Sequence, residues 1–304
     1  MIKKISMLLL ILTMIITLSA CKDNNTAAAG VNQKSKIKVV VSFNAMREFT
    51  EAVGKDKVYI ETMIPDGTEP HDFEPKAKDL RSLSDSKIFV YNGFGMETWI
   101  DKTLKAVDNK NLIVVDASSG YTPIKDTDSE LVKNDNQEDP HLWLSLKGAE
   151  SEAANIKNAL IKADPADKDY FEKNYSDFKA QLDELLNEYD KKFQSCSNKE
   201  FITGHAAFAY FAQDFGLKQN SVEDVFADGE PSAKKLKELT DYCKQKKFKS
   251  IFVEEMVSPK VSETLAKEVG AKAVTIHTIE SKEKNKDYVQ CMKENLEEIC
   301  DSMK

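Results

Sequence analysis

Between residues 169 and 193 the chain carries one unbroken helical pattern. Phe171, Tyr175, Phe178, Leu182, Leu185, Tyr189 and Phe193 recur at steps of three and four, with charged residues on the remaining faces. This is a single apolar stripe on a single long helix, and a stripe of that kind reads as core rather than as a functional surface. On both sides of it, short apolar runs alternate with helical patterns. Before it, residues 37–43, 58–64, 87–91 and 112–115 read as strands, and 45–53, 77–84 and 97–107 as helices. After it, 200–203, 250–253 and 273–276 read as strands, and 234–246, 261–269 and 287–303 as helices. Alternation of this kind implies parallel sheets covered on both faces. The expected fold is therefore α/β: two α/β lobes, each a mainly parallel sheet flanked by helices, joined by one long linking helix. The N-terminal lobe spans 37–165, the linking helix 166–195 and the C-terminal lobe 196–304. A cleft between two such lobes is a preferred place for a ligand.

The first twenty residues have another character. Lys3 and Lys4 precede an almost unbroken apolar run over residues 7–18, and Leu18-Ser19-Ala20-Cys21 follows. That is a secretory signal, over 1–20. The apolar run is short of the ~20 residues a membrane span needs. Leu-Ser-Ala-Cys resembles the lipobox of bacterial lipoproteins, which implies cleavage before Cys21 and lipid on its thiol. Residues 21–36 then form a lipidated cysteine and flexible tether, rich in Asn, Ala, Ser and Lys. The expected location is the cell envelope, outside the cytoplasm, anchored to the membrane by lipid.

The net charge of −8 argues against nucleic acid as a partner. Beyond Cys21 the cysteines are Cys196, Cys243, Cys291 and Cys300, none in a C-x-x-C pair, so a cysteine zinc cluster is not expected. Cys291 and Cys300 are nine positions apart on one helix, too far along its axis for a direct bridge. Other pairings stay open.

Four histidines are present, and three sit in dense local patterns. His71 lies in Gly67-Thr68-Glu69-Pro70-His71-Asp72-Phe73-Glu74-Pro75, just after the second strand. His141 lies in Asp139-Pro140-His141-Leu142-Trp143-Leu144-Ser145, where Ser145 can cap a helix. His205 lies in Thr203-Gly204-His205-Ala206-Ala207-Phe208, where a strand gives way to a helix. Imidazole suits a borderline cation such as zinc. Residues so far apart can meet only through the fold, and an isolated histidine is more often a structural or surface residue. Spacing alone leaves both readings open.

Taken together, these segments resemble the metal-binding receptors of ABC importers for zinc and manganese. The resemblance continues through Tyr91-Asn92-Gly93 with Glu97 and Trp99, Asp228-Gly229-Glu230-Pro231-Ser232, Ile251-Phe252-Val253-Glu254 and Thr278-Ile279-Glu280-Ser281. It implies four metal ligands, which carry over as His71, His141, His205 and Glu280. It also implies an ABC-type metal permease as partner and a monomeric receptor. Zinc receptors of this kind resemble the chain in having histidine at the third position, where manganese receptors tend to have a carboxylate. Three imidazoles and one carboxylate suit tetrahedral Zn2+ as the transported ligand better than Mn2+.

Two features depart from the family. The loop over 121–139 is acidic and lacks the histidines many zinc receptors carry there. His277, three residues before Glu280, is a possible fifth ligand. Glu69 and Glu230 are candidate partners of the ligands. A closing carboxylate at Glu280 is expected to draw the second lobe onto a metal held by His71 and His141. The competing reading is a zinc hydrolase, with Glu254 or Glu255 as general base, and no G-x-S-x-G nucleophile motif supports hydrolysis. A surface adhesin would share the anchor and make no demand on the histidines.

Overall fold

The computed structural model describes residues 36–125, 138–226, 231–254 and 259–304. The first half is built on a four-stranded sheet of β1 (Ile37–Val41), β2 (Val58–Thr62), β3 (Ile88–Tyr91) and β4 (Ile113–Asp116), in the order β2-β1-β3-β4. Every pairing in it is parallel. Val39, Val40 and Val41 are all fully buried, as expected for a strand covered on both faces. The covering helices are α1 (Asn44–Gly54), α2 (Ala77–Ser84), α3 (Ile100–Ala106) and α4 (Leu146–Ala163). Ser145 caps α4, its side chain accepting from the Gly148 amide.

The long helix, α5, runs over Lys168–Ser195, two residues beyond the apolar pattern at its C-terminal end. Phe171, Phe178, Leu182, Leu185, Tyr189 and Phe193 are buried along it, whereas Tyr175 sits at the rim with its hydroxyl near Glu150. Asn174 interrupts the apolar face and is accommodated because its Nδ2 donates to the Val53 carbonyl at 2.9 Å.

The second half contains β5 (Glu200–Thr203), α6 (Ala209–Phe215), β6 (Lys218–Ser221), α7 (Ala233–Lys246), β7 (Ser250–Glu254), α8 (Lys260–Val269), β8 (Lys272–Ile276) and α9 (Tyr288–Ser302). The strands form two parallel pairs, β5-β6 and β7-β8, with β5 and β7 side by side. β6 escapes sequence reading because Lys218-Gln219-Asn220-Ser221 has no apolar pattern; it is held by its ladder to β5. One hydrophobic cluster runs from the first sheet through α5 to Phe201, Phe252, Ile276 and α9. A smaller one, around Ile202, Cys243, Ile251 and Leu265, fills the far side of the second half. Residues 36–304 make up one compact unit. No helix among the described residues is long and apolar enough to cross a membrane.

Candidate metal centre

Parallel strands bring their carboxyl ends to one edge, where open α/β sheets place their ligands. His71 lies in the loop after β2, His205 directly after β5 and Glu280 in the loop after β8, while His141 opens the turn that leads into α4. The fold brings these four side chains together. One potential ligand atom from each lies within 4.8 Å of all the others. The Nε2 atoms of His141 and His205 are 3.4 Å apart. Two nitrogens bound to one tetrahedral zinc at ~2.0–2.1 Å would be about 3.4 Å apart. That edge of the tetrahedron is already formed.

Each of these side chains has an identifiable neighbour. Pro70 and His71 form a short helical turn capped by Glu69, whose Oε1 accepts from the His71 amide. Asp139 Oδ1 accepts from the His141 amide at 2.9 Å and lies 2.8 Å from its ring Nδ1. Nδ1 therefore carries the proton and donates to the carboxylate, which leaves Nε2 as a lone pair facing the cluster. Asn92 Nδ2 donates to the Pro140 carbonyl at 2.8 Å, and Glu97 accepts from the amides of Asn92 and Gly93. The Tyr-Asn-Gly strand end thus ties β3 to the His141 turn. Behind His205, Glu254 Oε1 accepts from its amide at 3.3 Å and lies 3.7 Å from its Nδ1, a charge pair rather than a hydrogen bond. Gly204 makes this possible: a Cβ there would stand 2.0 Å from Glu254 Oε2.

The loop carrying Glu280 is clamped by the first half of the chain. Asn44 Nδ2 donates to the carbonyls of Ile279 and Ser281, both at 3.2 Å, and Trp143 Nε1 donates to the Thr278 carbonyl at 2.7 Å. The Gly67 amide donates to Ser281 Oγ and the Lys282 amide to Asp66. The sequence leads one to expect that Glu280 draws the second lobe onto a metal. Its loop is fastened to the first half by these bonds.

His141, His205 and Glu280 are 0%, 2% and 4% exposed. From the second half, Phe226 sets its ring edge-to-face against His71, with centroids 5.1 Å apart. In this sealed setting the four groups divide. Burial, then the neighbouring His141 and His205, pushes His71 down to about 2. Burial, then His205, holds His141 well below the ordinary histidine value. His205 goes the other way. Burial pushes it down, but Glu254, with help from Glu280 and Glu69, outweighs that and raises it to about 9. Burial, then the Glu69 charge, pushes Glu280 up to about 8, partly offset by His205. Both ring nitrogens of His71 and Oε1 of Glu280 are buried without a hydrogen-bond partner. A buried set of lone pairs that the protein does not satisfy fits a cation, since unpaired polar atoms are otherwise costly.

The other candidates fall elsewhere. His277 is turned toward α9: its Nε2 is 2.8 Å from Glu294 Oε2, and its amide and carbonyl are both bonded to Asn295. Glu254 lies behind His205 rather than beside an open ligand position. Cys21, Glu230, Glu255 and most of the acidic loop lie outside the described residues. Sequence reading placed Asp139 in the acidic loop and in the segment around His141, gave it no role there, and missed its bond to His141. The signal was available in the Asp-Pro-His order, which sets the carboxylate two residues before the ring it orients. Asn44 and Phe226 had no such signal, because their partners are distant in sequence.

The chain is similar to known proteins over most of its length. Residues 39–302 match the model of the family described as zinc-uptake complex component A, periplasmic. The high-affinity zinc uptake system protein ZnuA of Bacillus subtilis is 38% identical over 315 residues, covering 100% of this chain and 99% of that protein. The zinc-binding lipoprotein AdcA of Streptococcus pneumoniae is 34% identical over 309 residues, covering 98% of this chain and 60% of AdcA. Among solved structures, the Zn(II)-bound ZnuA-like domain of S. pneumoniae AdcA superposes with a TM-score of 0.76 at 33% identity, covering 88% of this chain and 99% of that one.

Proposed function

The chain belongs to the zinc-uptake complex component A family, and on that premise we propose that it captures Zn2+ outside the cytoplasm and delivers it to an ABC-type permease. The observation that carries the reading is the convergence of His71, His141, His205 and Glu280. They act as the four zinc ligands. Three nitrogens and one oxygen give zinc a full tetrahedral shell, whereas manganese prefers more oxygen.

The protein is a carrier rather than an enzyme. Catalytic zinc needs an open position for water. Here the fourth position is taken by Glu280, and Glu254 serves His205. The halves over 37–165 and 196–304 work as two lobes about the linking helix 166–195, each contributing two ligands. One chain supplies all four, so the receptor acts as a monomer. The signal over 1–20 is removed and Cys21 carries the lipid that keeps the receptor beside its permease; the Leu-Ser-Ala-Cys sequence supports this, as does the lipoprotein relative.

Competition titration tests the metal assignment: zinc should rank above manganese by orders of magnitude. Equal affinity for the two would sink it. Cys21→Ser should abolish lipid attachment, and a processed variant that still partitions with membranes would contradict the anchor.

A further inference from the structure

The loop after β8 is built around a backbone conformation that its sequence resists. Ile279 stands at φ 60°, in the left-handed region that favours glycine and that a β-branched residue rarely enters. Burial of its side chain in the main core holds it there, as do the bonds around it. Trp143 Nε1 donates to the Thr278 carbonyl, and Asn44 Nδ2 donates to the carbonyls of Ile279 and Ser281. A residue kept in so unfavourable a region beside a binding site points to a geometric demand on its neighbours. Those neighbours are Thr278 and Glu280. Thr278 Oγ1 donates to Glu280 Oε2 at 3.0 Å, and both residues are buried. The other oxygen, Oε1, is buried without a hydrogen-bond partner. The two oxygens of this carboxylate are therefore not equivalent: one is engaged within the loop and the other is open.

Resting on the zinc-receptor reading, we propose that Thr278 is a positioning residue that makes Glu280 a one-oxygen ligand and so biases the site toward zinc over manganese. A carboxylate bound to a cation is ionised and can only accept, so in the loaded state the Thr278 hydroxyl is the donor. The last torsion of a glutamate is broad, and this bond fixes it by occupying Oε2. Oε1 alone is left for the metal. One oxygen and three imidazole nitrogens close a four-coordinate shell, as zinc takes. With Oε2 released, the carboxylate is free to present both oxygens, as carboxylates do toward hard cations. A second oxygen brings the shell to five ligands and adds the oxygen character that manganese favours. The Thr278 backbone is fixed separately, because Trp143 holds its carbonyl and not its side chain.

The test uses the full-length protein as wild type, Thr278→Val and Thr278→Ser, loaded with zinc or with manganese. Valine keeps the shape and removes the hydroxyl; serine keeps the hydroxyl. Zinc-edge X-ray absorption of the wild type should show a four-coordinate shell of three nitrogens and one oxygen. A crystal structure of the same sample should keep Oε2 at hydrogen-bond distance from Thr278. A Glu280 that binds zinc through both oxygens in the wild type overturns the proposal without any variant. In Thr278→Val the ratio of zinc to manganese affinity should fall about tenfold, the worth of one hydrogen bond to a charged group, and the zinc shell should gain an oxygen. Thr278→Ser should restore both. An unchanged ratio and shell in Thr278→Val, or a Thr278→Ser that behaves like Thr278→Val, overturns the proposal alone. A wild-type zinc that Glu280 does not touch overturns the four-ligand reading and this proposal with it.

Discussion

The two halves contribute unlike pairs to one site. The first half offers His71 and His141, both neutral near pH 7, because burial and each other's neighbours disfavour a positive charge there. The second half offers His205 and Glu280, which hold protons up to about 9 and about 8. Burial, then the Glu69 charge, raises Glu280, and the carboxylates around His205, Glu254 first, outweigh burial there. Asp139 is bonded to its imidazole with good geometry and fixes a tautomer, whereas Glu254 stands slightly too far from His205 to do the same and instead stabilises its cationic form. The first half is a ready pair of lone pairs; the second half must surrender protons before it can bind.

The largest expected effects come from deleting ligands. Structural zinc sites are worth ~10–16 kcal/mol over four ligands, so one ligand carries about 3 kcal/mol, or roughly a hundredfold in affinity. His71→Ala and His141→Ala should each lose at least that much when zinc is titrated against a chelator of known affinity. His205→Ala should lose less at pH 7 than either, because a bound proton is removed with the ring. A larger loss at His205 than at His141 would break the comparison.

Next in size is the effect of pH. Zinc must displace the proton on His205 and the proton on Glu280, so affinity should rise above pH 7, by about tenfold per unit for each proton released, until each group's value of about 9 and about 8 is passed. The unperturbed imidazole range near ~6.5 would put the change lower. The metal-free protein should move oppositely. The folded-state values of His205 and Glu280 lie above their ordinary values of 6.5 and 4.5, so the stability they contribute is present below those values and lost as pH rises through about 9 and about 8. Melting curves of both forms across pH 6.5–9.5 check the two signs together, and calorimetry in buffers of different ionisation enthalpy counts the protons.

Smaller effects separate the two carboxylate partners. Asp139→Asn should weaken zinc by about 10–100-fold, as loss of an orienting carboxylate does elsewhere; it takes out the step of its own carboxyl, which burial pushes up to about 7, and leaves the His205 step in place. Glu254→Gln should flatten the profile by lowering the His205 value, and near pH 7 this offsets part of its cost. If the two variants gave the same profile, the distinction drawn here between orienting and charging would fail. Smallest is Asn44→Ala. It removes two hydrogen bonds to the Glu280 loop and should cost about 1–3 kcal/mol in stability, read by denaturant unfolding of the metal-free protein.

Most of the architecture was legible because it rests on periodicity. The stripe from Phe171 to Phe193 and the Val39–Val41 run carry their own instructions, and the observed elements lie within a few residues of the expected ones. The first turn of α3 is an instructive miss. The chain from Glu97 is spent as a loop because its carboxylate is needed by the amides of Asn92 and Gly93, so the helix starts at Ile100. The four ligand candidates came from a family pattern rather than from spacing, since no local rule joins His71 to Glu280. Of what supports them, Glu69 beside His71 was legible and the rest was not. The clamp from Asn44 to Ile279 and the contact of Phe226 with His71 join residues that only the folded chain brings together.

The central claim is that zinc is held by two ligands from each half with no water among them. A crystal structure of the zinc-loaded protein, with the metal located by anomalous scattering at the zinc edge, tests it most directly. The account predicts one buried zinc bonded to a ring nitrogen of His71, to Nε2 of His141, to Nε2 of His205 and to an oxygen of Glu280, at ~2.0–2.2 Å in tetrahedral geometry. A zinc bound elsewhere, or bound here with water in place of Glu280, would contradict it.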